Sequence, residues 1–177
     1  MMAMNKWVVC GALAAAVSIG RPAAAEVISA GQNGFEIRVT VHVAATPDKA
    51  YAALLQPARW WNSEHTFSGS AANLTLDARA GGCWCETLTD RGSVEHMHVV
   101  FVAPGKVLRM RGALGPLQGL GVEGAMTLSG KGGASGTDIT IGYAVGGYVK
   151  DGFDGLSKAV DHVLGEQLER LRKLIDG

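Results

Sequence analysis

A chain of 177 residues with 16 basic and 16 acidic side chains has the length of one globular domain plus a leader, and at 47% hydrophobic it can bury a core. This balance, with no basic run outside the last predicted helix, argues against a nucleic-acid partner or an anionic-membrane partner. Most of the 25 glycines fall at turns between apolar segments, which favours a protein of many strands.

The predicted leader comes first. Met1 to Lys6 is a short basic stretch, Trp7 to Gly20 is apolar, and Ala23-Ala24-Ala25 offers an A-x-A cleavage site before Glu26. This is the layout of a secretory signal peptide. The apolar run is short for a transmembrane helix. An uncleaved anchor is the alternative, and the small residues Ala23 and Ala25 count against it. Residues 1–25 are therefore assigned to a signal peptide and residues 26–177 to a single domain. The expected location is periplasmic or secreted, with no stable membrane anchor after cleavage. Loss of Lys6 and Arg21 tips the remaining chain slightly acid.

Residues 26–34 read as a loose lead-in. Phe35 to Ala45 then alternates cleanly, with Phe35, Ile37, Val39, Val41 and Val43 on one side, as in a half-buried strand. Thr46-Pro47-Asp48 carries the residues of a helix start, Ala50 and Leu54 give a buried stripe, and Pro57 ends the helix. A second short helix follows and breaks near Asn62. Strands are predicted over 73–78, 83–89, 93–103, 106–114, 124–130 and 137–145, with hairpin joins at Arg91-Gly92, Pro104-Gly105 and Gly130 to Gly136. Leu114 to Val122 is too rich in Gly for a good strand and reads as a loop. One long amphipathic helix from Gly152 to Asp176 closes the chain. Its apolar side carries Phe153, Leu156, Val160, Leu164, Leu168, Leu171 and Ile175.

The fold class is α+β: a curved seven-stranded antiparallel sheet around a long C-terminal helix, with two short helices after the first strand. A sheet and one helix leave a gap between them, so a cavity is expected. The first strand followed by "ATPDKAYAALLQPARWW", the segment "ARAGGCWCE", the hairpin "VVFVAPGKVLRM" and the closing helix together resemble the START-like, or SRPBCC, superfamily with its helix-grip fold. Within it the chain is similar to bacterial proteins grouped with polyketide cyclases and with homologues of the Hsp90 ATPase activator. The resemblance covers the whole mature chain and speaks to fold more than to function. It implies that the residue two after Gly81-Gly82, here Trp84, points inward, and that Trp60 or Trp61 lids the cavity. A chaperone-activating role sits badly with an exported chain.

The stretch "GGCWCETLTDRGSVEHMHVVF" holds Cys83, Cys85, His96 and His98. A two-residue turn at Arg91-Gly92 would pair Asp90 with Ser93 and put these four side chains on one face. The opposite face, with Trp84, Glu86, Leu88, Met97, Val99 and Phe101, is more apolar and is expected to face the cavity. The four soft ligands would then lie outside. Three readings stay open for them: a zinc site, disfavoured by C-x-C and H-x-H spacing on a flat sheet; a Cys83–Cys85 disulfide, at the edge of tolerated geometry for an extended strand; or free thiols beside surface histidines.

Glu86 is the catalytic candidate. A carboxylate in an apolar cavity would have a raised pKa and could act as acid, base or ligand anchor. The plainer reading pairs it with Arg109 or Arg111. The expected cavity residues are Trp60, Trp61, Phe67, Trp84, Glu86, Met97, Phe101, Met110, Tyr143 and Phe153. Tyr143 could offer a hydroxyl to a ligand, while Tyr148 is expected to pack where the last helix begins. His65 is ambiguous and His162 reads as surface. No serine-hydrolase elbow, P-loop or dinucleotide fingerprint is present. The expected partner is a small hydrophobic or amphipathic molecule, with no cofactor and no nucleic acid. The alternative is a cyclase- or dehydratase-like enzyme using Glu86 in the same cavity.

Overall fold

The computed structural model describes residues 24–177; residues 1–23 of the expected leader lie outside them. The described chain forms eight strands, β1 (Ala24–Ala30), β2 (Gly34–Val43), β3 (Leu74–Leu76), β4 (Cys83–Thr87), β5 (Ser93–Ala103), β6 (Val107–Arg111), β7 (Gly121–Gly133) and β8 (Gly136–Tyr148). Three α-helices join them: α1 (Pro47–Leu54), α2 (Pro57–Trp60) and α3 (Asp154–Asp176). All neighbouring strands are antiparallel, in the order β1-β2-β8-β7-β6-β5-β4-β3.

The sheet therefore has one strand more than the expected seven. Residues 24–30, of which 24 and 25 read as leader and 26–30 as a loose lead-in, pair with β2 from Ala24↔Thr40 to Ala30↔Phe35. Most of β1 is exposed on both faces, so it has no hydrophobic alternation to announce it. Backbone pairing to β2 makes it a strand.

The alternation in β2 comes out as expected: Phe35, Ile37, Val39, Val41 and Val43 are all buried. Thr46 stands at the cap of α1 with Pro47 as its first residue, yet the Thr46 side chain makes no capping hydrogen bond. Helix α3 begins at Asp154, and Phe153, Leu164, Leu168 and Leu171 are buried. It packs chiefly on β2 and β1 and also touches α1 and α2. Over its first half, Leu156, Val160 and Val163 are only partly covered. The helix thus closes the β1–β2 side of the sheet and stands away from the β3–β5 side. The expected loop 114–122 forms a short 3-10 helix, Gly115–Gly119, before β7 begins. Among the described residues no helix is long and apolar enough to cross a membrane.

Candidate functional site

The turn between β4 and β5 decides what faces inward. Instead of two residues at Arg91-Gly92, a 3-10 turn spans Thr89–Arg91, with Asp90 and Arg91 both at positive φ (55° and 65°). Asp tolerates this left-handed region better than most residues, because its short side chain can bond locally. The turn shifts the register, so that Thr87 faces Ser93 and Glu86 faces Val94. Glu86, Val94 and His96 then share the inner face. A slip at Trp84/Cys85 next gives β5 one extra residue, after which Trp84 faces Met97 and Cys83 faces His98. His96 and Met97 are consequently both buried.

This corrects the expectation that Cys83, Cys85, His96 and His98 lie together outside. His96 turns inward and pairs with Glu86, Nε2 to Oε2 at 2.9 Å, with the two side chains 6% and 0% exposed. His98 stays outside beside Glu95 at 3.4 Å. Cys83 and Cys85 are joined in a disulfide, with Cα atoms 5.4 Å apart. That separation falls within the usual disulfide range, and the pairing with β5 slips between Trp84 and Cys85. The four residues thus form no common ligand set.

Glu86 is buried, but not as an unpartnered acid. Its Oε2 accepts from the Phe67 backbone N–H at 3.1 Å and from His96, and its Oε1 accepts from the Ser68 N–H. Burial pushes its pKa up, but the hydrogen bonds from Ser68, Phe67 and His96 outweigh burial and bring it below the ordinary carboxylate value. This corrects the expected rise. Neither arginine is its partner: Arg109 donates to Thr127 Oγ1 at 3.2 Å and Arg111 lies 3.8 Å from Glu123, both on the exposed side.

Beside the pair lies a cavity of about 470 Å³. The first half of α3 forms one wall through Leu156, Val160, Val163 and Leu164. Trp61, Leu74, Trp84 and His96 form the sheet side, and the 3-10 segment at Gly115–Leu117 and residues 64–67 close the rest. Trp61 stands edge-on to Trp84 with ring centroids 5.0 Å apart, and Phe67 stacks on His96 at 5.9 Å. Phe67, 53% exposed, sits at the mouth. The segment after α2 is stitched to α3. Asn62 donates from its backbone to Gln167 Oε1 and from its side chain to Glu166 Oε1, both at 2.6 Å, and His65 Nε2 lies 3.2 Å from Glu166 Oε2.

Of the expected cavity residues, Trp61, Phe67 and Trp84 line this space, whereas Trp60, Met97, Met110 and Phe153 are buried in the surrounding core. Glu86 lies behind His96 rather than in the wall. Phe101 is a correction. A slip between Val99 and Phe101 turns it outward, 47% exposed, with the Arg109 guanidinium 5.7 Å from its ring. Tyr143 is another. Its hydroxyl accepts from Leu114 N–H at 3.1 Å and donates to Gly112 O at 3.3 Å, so it holds the 112–114 backbone and is not free for a ligand. Tyr148 is exposed and does not pack where α3 begins. His65 joins the cavity mouth and His162 is exposed.

The residue missed by sequence reasoning is His96 in its inward role. A signal existed: in "VEHMHVV" the apolar positions Val94 and then Met97 and Val99 change phase by one residue, the mark of a bulge between them.

A family model described as polyketide cyclase / dehydrase and lipid transport matches residues 34–176. No curated protein matches the chain. Among solved structures, a protein of Rhizobium leguminosarum is similar at 17% identity and a TM-score of 0.59, spanning 88% of this chain and 98% of its own. Protein CV1439 of Chromobacterium violaceum is 19% identical with a TM-score of 0.57, over 80% of this chain and 97% of its own. CalU16 of Micromonospora echinospora is 15% identical with a TM-score of 0.55, over 86% of each chain. At such identities these likenesses speak for the fold alone. With the eight-stranded sheet gripping one long helix and a family match across nearly all the described residues, the chain belongs to the polyketide cyclase / dehydrase and lipid transport family, within the START-like (SRPBCC) superfamily.

Proposed function

We propose that this protein binds a small hydrophobic or amphipathic molecule in the cavity between α3 and the β4–β5 side of the sheet. The observation that carries the reading is the cavity itself. Its volume of about 470 Å³ lies in the range of small-molecule sites, and its wall is mostly aliphatic and aromatic with one buried imidazole. Native mass spectrometry of the purified protein tests it. A co-purifying apolar mass, lost when Val160→Trp fills the cavity, is the expected result. A wild-type protein that holds no such mass and takes up no apolar probe would sink it.

We further propose that the chain is exported, on the strength of the basic, apolar and small-residue order of residues 1–25. Intact mass after expression in a bacterium with a secretory pathway should show an N-terminus at Glu26. A full-length protein retained in the cytosol would refute export.

A cyclase- or dehydratase-like reaction is the second reading, and the Glu86–His96 pair is what favours it. In that case the proton would move at His96, with Glu86 positioning the ring, since Glu86 has no free oxygen toward the cavity. An enzyme needs a second polar group on the same ligand atom region. Tyr143 is committed to backbone and Arg111 faces outward, while of the polar wall residues Glu64, His65 and Thr66, His65 is paired with Glu166 and the Thr66 hydroxyl donates to Ser63 O. Binding is therefore the better supported of the two.

A further inference from the structure

The cavity wall has a directional polar feature that the binding reading does not use. The Glu86 carboxylate accepts from two backbone N–H groups and from His96 Nε2. A carboxylate so surrounded stays ionised, and an ionised carboxylate requires that Nε2 carry the shared proton. In the neutral ring the lone pair is then on Nδ1. Nδ1 makes no hydrogen bond among the described residues. The His96 ring lines the cavity and its Nε2 is taken by Glu86, which leaves Nδ1 as the ring nitrogen available to a ligand.

Charge narrows the choice of ligand. Among the lining residues Glu64 is anionic, His65 is paired with Glu166, and no Lys or Arg is present. An anionic head group would meet Glu64, with no Lys or Arg in the wall to offset it. An ordinary hydrocarbon would leave the Nδ1 acceptor desolvated and unpaired, which costs affinity.

We propose that the cavity takes an uncharged, otherwise apolar molecule carrying a hydroxyl, an alcohol or a phenol, which donates its hydrogen bond to His96 Nδ1. This rests on the binding reading above and names its ligand class. Glu86 is a positioning residue in it: the carboxylate fixes the tautomer and the ring plane, and the ring meets the ligand.

Isothermal titration calorimetry of the full chain with 1-naphthol, naphthalene and 1-naphthoate tests this. These three probes share one ring system and differ in the group offered. Naphthol is expected to bind about tenfold tighter than naphthalene, the equivalent of one buried hydrogen bond, and naphthoate weaker than either. In His96→Phe, which keeps a ring against Phe67, naphthol and naphthalene should bind alike. Naphthalene and naphthol of equal affinity in the wild type, or naphthoate as the tightest of the three, would overturn the hydroxyl assignment and leave the binding reading standing. No heat and no displacement with any of the three would overturn both. The wild-type series alone decides the matter should His96→Phe fail to fold.

Discussion

The sheet has two unlike halves. From β2 through β8 to β7 the pairing is unbroken. β2 meets β8 in ten successive pairs from Gly34↔Gly146 to Val43↔Thr137, and β7 meets β8 in thirteen from Gly121↔Tyr148 to Gly133↔Gly136. From β5 to β3 it is short and interrupted. β3 has three residues, β4 slips against β5 at Trp84/Cys85, and β5 slips against β6 between Val99 and Phe101. Helix α3 seats chiefly on β2, at the edge of this regular block, and also on β1, whose pairing with β2 slips once between Val27 and Ser29. On the irregular side, where the helix stands off, lie the cavity, the Glu86–His96 pair and the disulfide. Regular pairing maximises apolar burial and leaves no room for a buried Glu–His pair. Each slip in the other half re-aims one side chain, and one of them delivers an imidazole to the cavity wall. The two halves should therefore fail differently.

The largest effect is expected in the regular half. Ile141 is buried between Val39 and Leu128 on its two neighbouring strands. Ile141→Ala should cost about 3 kcal/mol in urea denaturation, through lost burial and the cavity left behind. The folded fraction should keep its affinity for an apolar probe within about twofold. If affinity falls in step with stability, the two halves are not separable.

Alkali should sharpen the same contrast. Burial pushes the Tyr143 hydroxyl up to about 12 from its ordinary 10.0. A group whose folded pKa is raised stabilises fully below its unfolded pKa and loses that contribution as pH rises through the folded one. The window is thus pH 10 to 12, and the contribution at stake is on the order of 2–3 kcal/mol. Denaturation midpoints at pH 9 and pH 11.5 should converge for Tyr143→Phe and diverge for the wild type.

Acid should act on the other half. The folded pKa of Glu86 lies below its ordinary 4.5, so its contribution is present above that value and is lost as pH falls through the folded pKa. Glu86→Gln turns one acceptor into a donor facing donors, at an expected cost of about 1–3 kcal/mol at pH 7. Measured at pH 7, 4.5 and 3.5, the gap between variant and wild type should narrow with acid. A gap that stays constant would mean that the ionised carboxylate contributes nothing to the difference.

What was legible in the sequence follows the same division. The alternation of Phe35 to Val43, the Thr46-Pro47-Asp48 start and the apolar stripe of the last helix are repeating patterns, and all three stand in the fold. β1 was hidden because an exposed edge strand needs only backbone pairing. The site was partly legible: Glu86 alternates with Trp84 and points inward, as both do here. Its partner was not, because His96 reaches the inner face through a positive-φ pair at Asp90-Arg91 and a one-residue slip. A register error of one residue exchanges the faces of a strand. Such local events leave little trace in composition or period.

The smallest stability effect is expected at the disulfide, and it probes what maintains the slip. Two residues apart in an extended strand, Cα atoms lie about 6.6 Å apart; Cys83 and Cys85 are held at 5.4 Å. A shortened β4 cannot match β5 residue for residue, and the surplus on β5 is at His96. The closed loop is so short that the Cys83→Ser, Cys85→Ser double variant should lose only about 1–2 kcal/mol in urea. Its local effect should be larger than its cost. Freed to extend, β4 should pull the register toward a plain ladder. The His96 ring resonances and the amide exchange of residues 94–98 should then change, while those of β7 and β8 stay as they were. Unchanged His96 resonances in the double variant would show that the Glu86 carboxylate, with its three donors, holds the bulge without help from the disulfide.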